Sequence, residues 1–104
     1  MERACFLMTI LPGREAEYER RHREIWDEMV TELRRSGITN YSLFRRDRTV
    51  VAYAECHPDT ETAFSTMGVT DVNRRWSAWF ADVLETFTDN NGQLLWATEV
   101  WHLA

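Results

Sequence analysis

Residues 4–11, ACFLMTIL, spell a strand that is apolar on both faces. Side chains alternate across a strand, so Ala4, Phe6, Met8 and Ile10 point one way and Cys5, Leu7 and Leu11 the other. The Pro12-Gly13 turn ends it. Residues 94–103 repeat the pattern, with Leu95, Ala97 and Trp101 set against Leu94, Trp96 and Val100. A sheet built from such strands needs cover on both faces. The chain has 104 residues, which allows one domain and one hydrophobic core. It can cover one face itself. The other has to be covered from outside.

Between these strands the periodicity changes. Residues 15–35 place Tyr18, His22, Ile25, Met29 and Leu33 at three- and four-residue steps, on one face of a helix. Acidic residues crowd its first turns and Arg34-Arg35 its last, as the helix dipole favours. Ser36-Gly37 stops it. Residues 38–46 and 49–56 read as strands joined by Asp47-Arg48, hence an antiparallel hairpin. His57-Pro58-Asp59 opens a short helix to about Met67, closed by Gly68. Thr70 or Asp71 caps a further helix to about Thr86, with Val72, Trp76, Trp79, Phe80, Val83 and Phe87 as its stripe. Asp89-Asn90-Asn91-Gly92 is a loop before the last strand.

The predicted order is β-α-β-β-α-β, a ferredoxin-like α+β arrangement. It implies a four-stranded antiparallel sheet with helices on one face. A homodimer packing sheet on sheet is the simplest cover for the other face. That assembly is a dimeric α/β barrel.

Charge and composition narrow the function. A net charge of −5 argues against nucleic acid and anionic membrane partners. All twelve basic residues are arginines. Without lysine, Schiff-base chemistry and lysine-held pyridoxal phosphate are excluded. Cys5 and Cys56 sit in no CxxC and form no disulfide framework, which suits a reduced cytoplasmic protein. No leader is visible in the first 25 residues, and no apolar run is long enough to span a bilayer. Phosphate-loop, HExxH and GxSxG motifs are absent.

What remains is His22, on the apolar face of the first helix, with Tyr18 one turn before and Trp26 one turn after. Such a histidine is either a satisfied core group or a proton-transfer group, since imidazole gives and takes protons near neutrality. Trp76 is either core or a platform, where the C–H face of a sugar ring packs on an indole. Tyr41, in the second strand, shares a face with Thr39 and Leu43 by simple alternation. If that face is helix-covered, Tyr18, His22, Tyr41 and Trp76 converge in one pocket. The alternative is a well-packed aromatic core. Arg20, Arg21 and Arg23 flank His22 and read as ion pairs on a solvated face. His57 reads as a turn residue. His102 is a weak candidate for the dimer face. Neither gives a metal-ligand spacing with His22.

These residues carry a family resemblance. EYERRHREIW (17–26), NYSLF (40–44), TDVNRRW (70–76) and EVWHL (99–103) make the chain resemble L-rhamnose mutarotases over essentially its whole length. The resemblance implies a cytoplasmic homodimer that interconverts the α and β anomers of L-rhamnose with no cofactor and no metal. It implies His22 as proton donor and Tyr18, Tyr41 and Trp76 as sugar-binding residues. The family pattern commonly has two adjacent tryptophans where this chain reads Trp76-Ser77. That leaves the second sugar contact and the preferred 6-deoxyhexose open. In the mechanism so implied, protonated His22 delivers a proton to the ring oxygen. Tyr18, Tyr41 or a water handles the anomeric hydroxyl. Two other readings compete. One is a cofactor-free or haem-handling monooxygenase, by fold analogy alone. The other is a non-catalytic sugar-binding module.

Overall fold

In the computed structural model, which describes residues 1–104, the strand expected at 4–11 spans Glu2–Ile10 (β1) and lies inside the sheet. It pairs antiparallel with β3 (Thr49–Cys56) from Glu2↔Cys56 to Thr9↔Thr49. β2 (Ile38–Arg46) forms the outer edge beyond β3. The helices lie against one face. α3 (Thr60–Gly68) starts where the Asp59 carboxylate accepts from the Thr62 N–H at 2.7 Å. α4 (Asp71–Trp79) starts where the Thr70 hydroxyl accepts from the Asn73 N–H at 3.2 Å. Both are side-chain caps, and Thr70 rather than Asp71 caps α4. The result is the ferredoxin-like α+β fold, and no helix is long and apolar enough to cross a membrane.

The helix expected over 15–35 is two helices, α1 (Glu15–Arg23) and α2 (Asp27–Arg35). No Gly or Pro lies at the break. Tertiary packing overrides the helical periodicity there. Trp26 takes an extended backbone (φ −69°, ψ 136°). Its ring turns in to stack on Trp79, with centroids 5.2 Å apart and planes at 14°. It also meets Trp76 edge-on at 5.1 Å. A continuous helix would carry Trp26 past both.

The last helix ends at Trp79 rather than near Thr86. A 3₁₀ turn (Phe80–Asp82) follows, then β4 (Leu84–Thr86). Val83, expected on the helical stripe, is fully buried between turn and strand. The strand expected at 94–103 is also mostly absent. Only β5 (Leu95–Trp96) pairs, with Leu7 and Phe6. β4 pairs with Ile10 and Thr9. Since β3 occupies one edge of β1, β4 and β5 share the other. Together they fill the fourth position of the sheet as one edge strand, interrupted by residues 87–94. A Thr88↔Leu94 bridge pinches that excursion shut. Past β5 the Ala97 N–H still donates to the Cys5 carbonyl at 2.8 Å, and Arg3 pairs with Glu99 at 2.7 Å. From there Val100, Trp101 and Leu103 point into solvent.

The core is split. One cluster gathers Ala4, Met29, Ile38, Ala54, Cys56, Ala63, Met67 and Val72. The other gathers Ile10, Tyr18, Val50, Phe80 and Val83. Trp76 packs against both.

A bulge in β2 decides where Tyr41 points. Thr39 pairs with Glu55 and Ser42 with Tyr53, so Asn40 and Tyr41 together oppose Ala54. Asn40 sits at φ +45°, in the left-handed region. The extra residue reverses the phase of the alternation. Tyr41 therefore joins Leu43 and Ile38 on the helix-covered face, while Thr39 lies on the other. Simple alternation had placed Thr39 with Tyr41. Asn40→Val should cost about 1–2 kcal/mol in urea denaturation, because a β-branched residue resists positive φ. Asn40→Gly should cost clearly less. Both variants lose the Asn40–Glu55 hydrogen bond, so equal losses would overturn this account.

Candidate active site

A cavity of about 830 Å³ opens between the sheet and the helices. Tyr18, His22, Tyr41 and Trp76 all line it. Each comes from a different constraint. Tyr18 and His22 lie one turn apart on α1. Tyr41 is turned in by the β2 bulge. Trp76 spans the seam between the two core clusters from α4. Phe64 and Trp96 wall the far side, T-shaped to one another at 5.2 Å. The excursion at 87–94 contributes Thr88 and Gln93 to the rim.

His22 is wedged among aromatic rings. Tyr18 is 4.4 Å away by centroids, Phe80 5.1 Å and Trp76 5.4 Å, the last nearly edge-on. Its Nδ1 lies 3.0 Å from the Tyr18 carbonyl oxygen. A carbonyl only accepts, so Nδ1 carries the hydrogen. Nε2 makes no hydrogen bond within the protein. Only one of the two ring nitrogens is therefore engaged within the protein. Burial pushes the His22 pKa below the ordinary imidazole value, and the Tyr18 carbonyl only partly offsets that.

Both phenols move the other way. Burial raises the Tyr18 pKa, with the Tyr41 phenol adding to it. Burial likewise raises that of Tyr41. The two hydroxyls keep their protons and serve as hydrogen-bond donors. The Tyr18 hydroxyl is fully buried and has no partner within the protein. Such a group is costly unless something completes it. No three His, Cys, Asp or Glu side chains gather where they can hold a metal ion.

Sequence reasoning overlooked two residues. Phe80 reads as one more stripe residue, yet it touches Tyr18, His22 and Trp76, the last at 4.7 Å. Arg21 reads as a surface ion pair, but it is 7% exposed and bonds to α4 and the 3₁₀ turn as well as to its own helix. Its position three residues after Tyr18, on the same stripe, was the available signal. Arg20 does behave as expected, pairing with Glu17 and Glu24 on the surface. Ser77 lies exposed on the cavity rim, and Trp79 does not replace a second tryptophan there. Its ring faces Trp26 and the Arg21 guanidinium instead. His57 is an exposed turn residue. His102, also exposed, sits 4.0 Å from Glu99.

Fold and site together describe a small α+β protein with a largely apolar cavity lined by an imidazole, two phenols and an indole. Comparison with known proteins sharpens this. The sequence model of the L-rhamnose mutarotase family matches residues 3–103. The chain is 37% identical over 103 residues to an L-rhamnose mutarotase from Oceanobacillus iheyensis, covering 99% of each. It is 34% identical over 104 residues to one from Tolumonas auensis, covering 100% of each. The crystal structure of an L-rhamnose mutarotase from Formosa agariphila shares the fold, with a TM-score of 0.82 over 100% of both chains at 21% identity. The chain belongs to the L-rhamnose mutarotase family, isomerases that act at the anomeric centre.

The orphaned hydroxyl yields a test in two parts. Tyr18→Phe removes a buried donor that nothing in the protein satisfies, so stability in the absence of sugar should stay level or rise by up to about 1 kcal/mol. Sugar affinity should fall about tenfold, the worth of one hydrogen bond. Denaturation and calorimetric titration read the two effects separately. A stability loss above about 1 kcal/mol would show that the hydroxyl has an internal partner.

Proposed function

We propose that this chain interconverts the α and β anomers of L-rhamnose in the cavity beside His22, by opening the hemiacetal and reclosing it on the other carbonyl face. The observation that carries the assignment is the imidazole itself. One nitrogen is fixed by the helix backbone, the other has no partner within the protein, and the ring lines the cavity. Trp76 offers an apolar platform for the C–H face of the sugar. Phe80 and Phe64 provide apolar wall for the C6 methyl. The protonated Tyr18 and Tyr41 phenols donate hydrogen bonds to sugar oxygens.

The lowered His22 pKa sets the order of proton transfers. At neutral pH the ring is uncharged, so Nε2 first takes the anomeric proton. The C1–O5 bond breaks as C1=O1 forms. The imidazolium then gives its proton to O5, a neighbour of O1 across C1. One nitrogen therefore serves both oxygens, and His22 is neutral again in the open-chain aldehyde. After rotation about C1–C2 the steps run in reverse. His22 is still the donor to the ring oxygen, but its proton comes from the substrate. One such group is worth about 10²–10⁴-fold, enough for a reaction that also runs unaided in water.

Saturation-transfer NMR at the two anomeric protons tests this directly. His22→Ala should lower exchange by about 10²–10⁴-fold while the variant stays folded. In the wild type the rate should hold above neutrality and fall as pH drops below about 6.5, the free imidazole value, because protonation then removes the base. Wild-type exchange in His22→Ala overturns the assignment. A rate that falls as pH rises from 6 to 8 overturns the order of steps. Sugar binding without accelerated exchange would point to a binding module instead.

The second sheet face supports a homodimer. Cys5 and Leu7 of β1, Val51 and Tyr53 of β3, and Phe44 of β2 share that face. Leu7 and Phe44 are exposed, as are Val100, Trp101 and Leu103 in the arm beyond β5. An apolar surface of this extent needs cover, and a second copy under two-fold symmetry supplies it. The two free cysteines suit a reducing, cytoplasmic setting. Sedimentation at micromolar concentration should give the mass of two chains. The mass of one chain would overturn the dimer.

A further inference from the structure

We propose that Arg21 is a positioning residue: its guanidinium locks the helix carrying Tyr18 and His22 onto the end of the helix carrying Trp76, and so sets where the imidazole stands against the platform. This rests on the reading of His22 as the proton-transfer group.

Arg21 differs from its neighbours in kind. The Arg20 side chain is 46% exposed and pairs only within its own helix. The Arg21 side chain is 8% exposed, and its partners lie on three elements. Nε donates to Glu17 at 3.1 Å, one turn back on α1. Nη1 donates to the Trp79 carbonyl, the last of α4. Nη1 and Nη2 grip the two Asp82 carboxylate oxygens at 2.9 and 3.3 Å. The guanidinium carbon also stands 5.0 Å from the Trp79 ring centre and 5.7 Å from that of Phe80. A buried charge is tolerated only when it is paired and hydrogen-bonded. Here the pairing fixes one geometry, since the planar fork must meet a carbonyl and a carboxylate at once.

That geometry reaches the site by a short route. The end of a helix leaves carbonyls without intrahelical partners. Arg21 satisfies one of them where α4 gives way to the 3₁₀ turn. The turn brings Phe80 inward, against Tyr18, His22 and Trp76. α1 itself is only nine residues long. Without the clamp it can roll about its axis, and a roll moves Tyr18 and His22 together relative to Trp76. Misplacing a catalytic group by about 1 Å can cost about a hundredfold in rate.

The variants are Arg21→Lys, which keeps the charge but loses the fork, Arg21→Met, which keeps the apolar stem, and Asp82→Asn, which loosens the exposed partner. For each, kcat and KM for anomer exchange are measured well below the melting temperature, along with the imidazole proton shifts of His22. Those shifts carry the ring currents of Trp76 and Phe80. Both Arg21 variants should lose roughly tenfold or more in kcat, with KM rising by no more than the roughly tenfold that the Tyr18 hydroxyl is worth, because Tyr18 moves with α1 while Trp76 and Tyr41 do not. The His22 signals should move toward those of a free imidazole. Asp82→Asn should shift both readouts the same way by less. If Arg21→Met fails to fold, Arg21→Lys and Asp82→Asn decide. Unmoved His22 shifts and kcat within twofold of wild type overturn the proposal, even where the melting temperature falls. His22→Ala is carried alongside. If it is inactive while the Arg21 variants are unimpaired, the positioning role alone fails. If it exchanges anomers at the wild-type rate, the role of His22 fails and this proposal with it.

Discussion

Trp76 packs on two core clusters at once, and the site exists because those clusters do not merge. The inner face of the sheet explains the gap. Ala4, Ala52 and Ala54 occupy its centre, with no exposure above 6%. Small side chains there leave the floor low. The helices are held off it by large rings, Phe6, Tyr41 and Phe64 toward one end and Tyr18 and Phe80 toward the other. Close packing is the rule for protein interiors, and large voids lined by apolar atoms give up dispersion contacts. A cavity of about 830 Å³ in so short a chain is therefore a feature that its aromatic walls have to hold open. Trp76 does so by bridging the seam with a rigid ring.

The walls are in turn positioned by departures from regular structure. The break before Trp26 lets an indole back the platform from behind. The early end of α4 lets Phe80 turn inward. The bulge at Asn40 turns Tyr41 inward. The interruption of the edge strand lays residues 87–94 along the cavity rim. Each departure leaves backbone groups in need of partners, and these are found locally. The Asp89 carboxylate accepts from the Asn91 and Gln93 N–H groups at 2.8 and 3.0 Å inside the excursion. Arg21 serves the Trp79 carbonyl. Irregularity and function coincide in this fold because a regular sheet under regular helices would close on itself.

The legible and illegible parts of the sequence divide along the same line. The bounds of β2 and β3 were readable to the residue, because a two-residue turn joins them, but their register was readable only as far as the bulge at Asn40. The start of α3 at His57-Pro58-Asp59 and a cap at Thr70 or Asp71 were readable because helix starts are set by local interactions. The four cavity residues were readable as a set from helical spacing, the family motifs and the strand assignment. The helix break at Glu24 was not, since the residues there propagate a helix well enough and only a ring 53 positions away in sequence (Trp79 against Trp26) rewards leaving it. The split of the edge strand was hidden for a similar reason. Residues 83–88 satisfy a helical stripe and a strand equally well, and pairing with Ile10 and Thr9 decides between them. Tyr41 reached the expected face by a route that alternation does not contain. Arg21 reads as a surface residue because charge ordinarily signals solvent, whereas its partners lie 58 and 61 residues away.

The chemistry follows from what one apolar enclosure does to different groups. Burial opposes charge, so it lowers the pKa of an imidazole and raises that of a phenol. The same burial thus moves the His22 pKa one way and those of Tyr18 and Tyr41 the other. The phenols are held as neutral donors and the imidazole as a neutral acceptor, the pairing that the proposed hemiacetal opening calls for. A nearby carboxylate would have raised the histidine pKa and returned it to the cationic form at neutral pH. The acidic residues of α1 are instead engaged on its outer side, Glu17 and Glu24 by Arg20 and Glu19 by Arg45. Arg21 takes the remaining bond to Glu17 and is neutralised by Asp82 on the side of α1 that faces the 3₁₀ turn. The arginine-rich helix and the neutral surroundings of His22 are therefore two sides of one arrangement, in which Arg20, Arg21 and Arg45 pair the α1 carboxylates and the imidazole stands among uncharged rings.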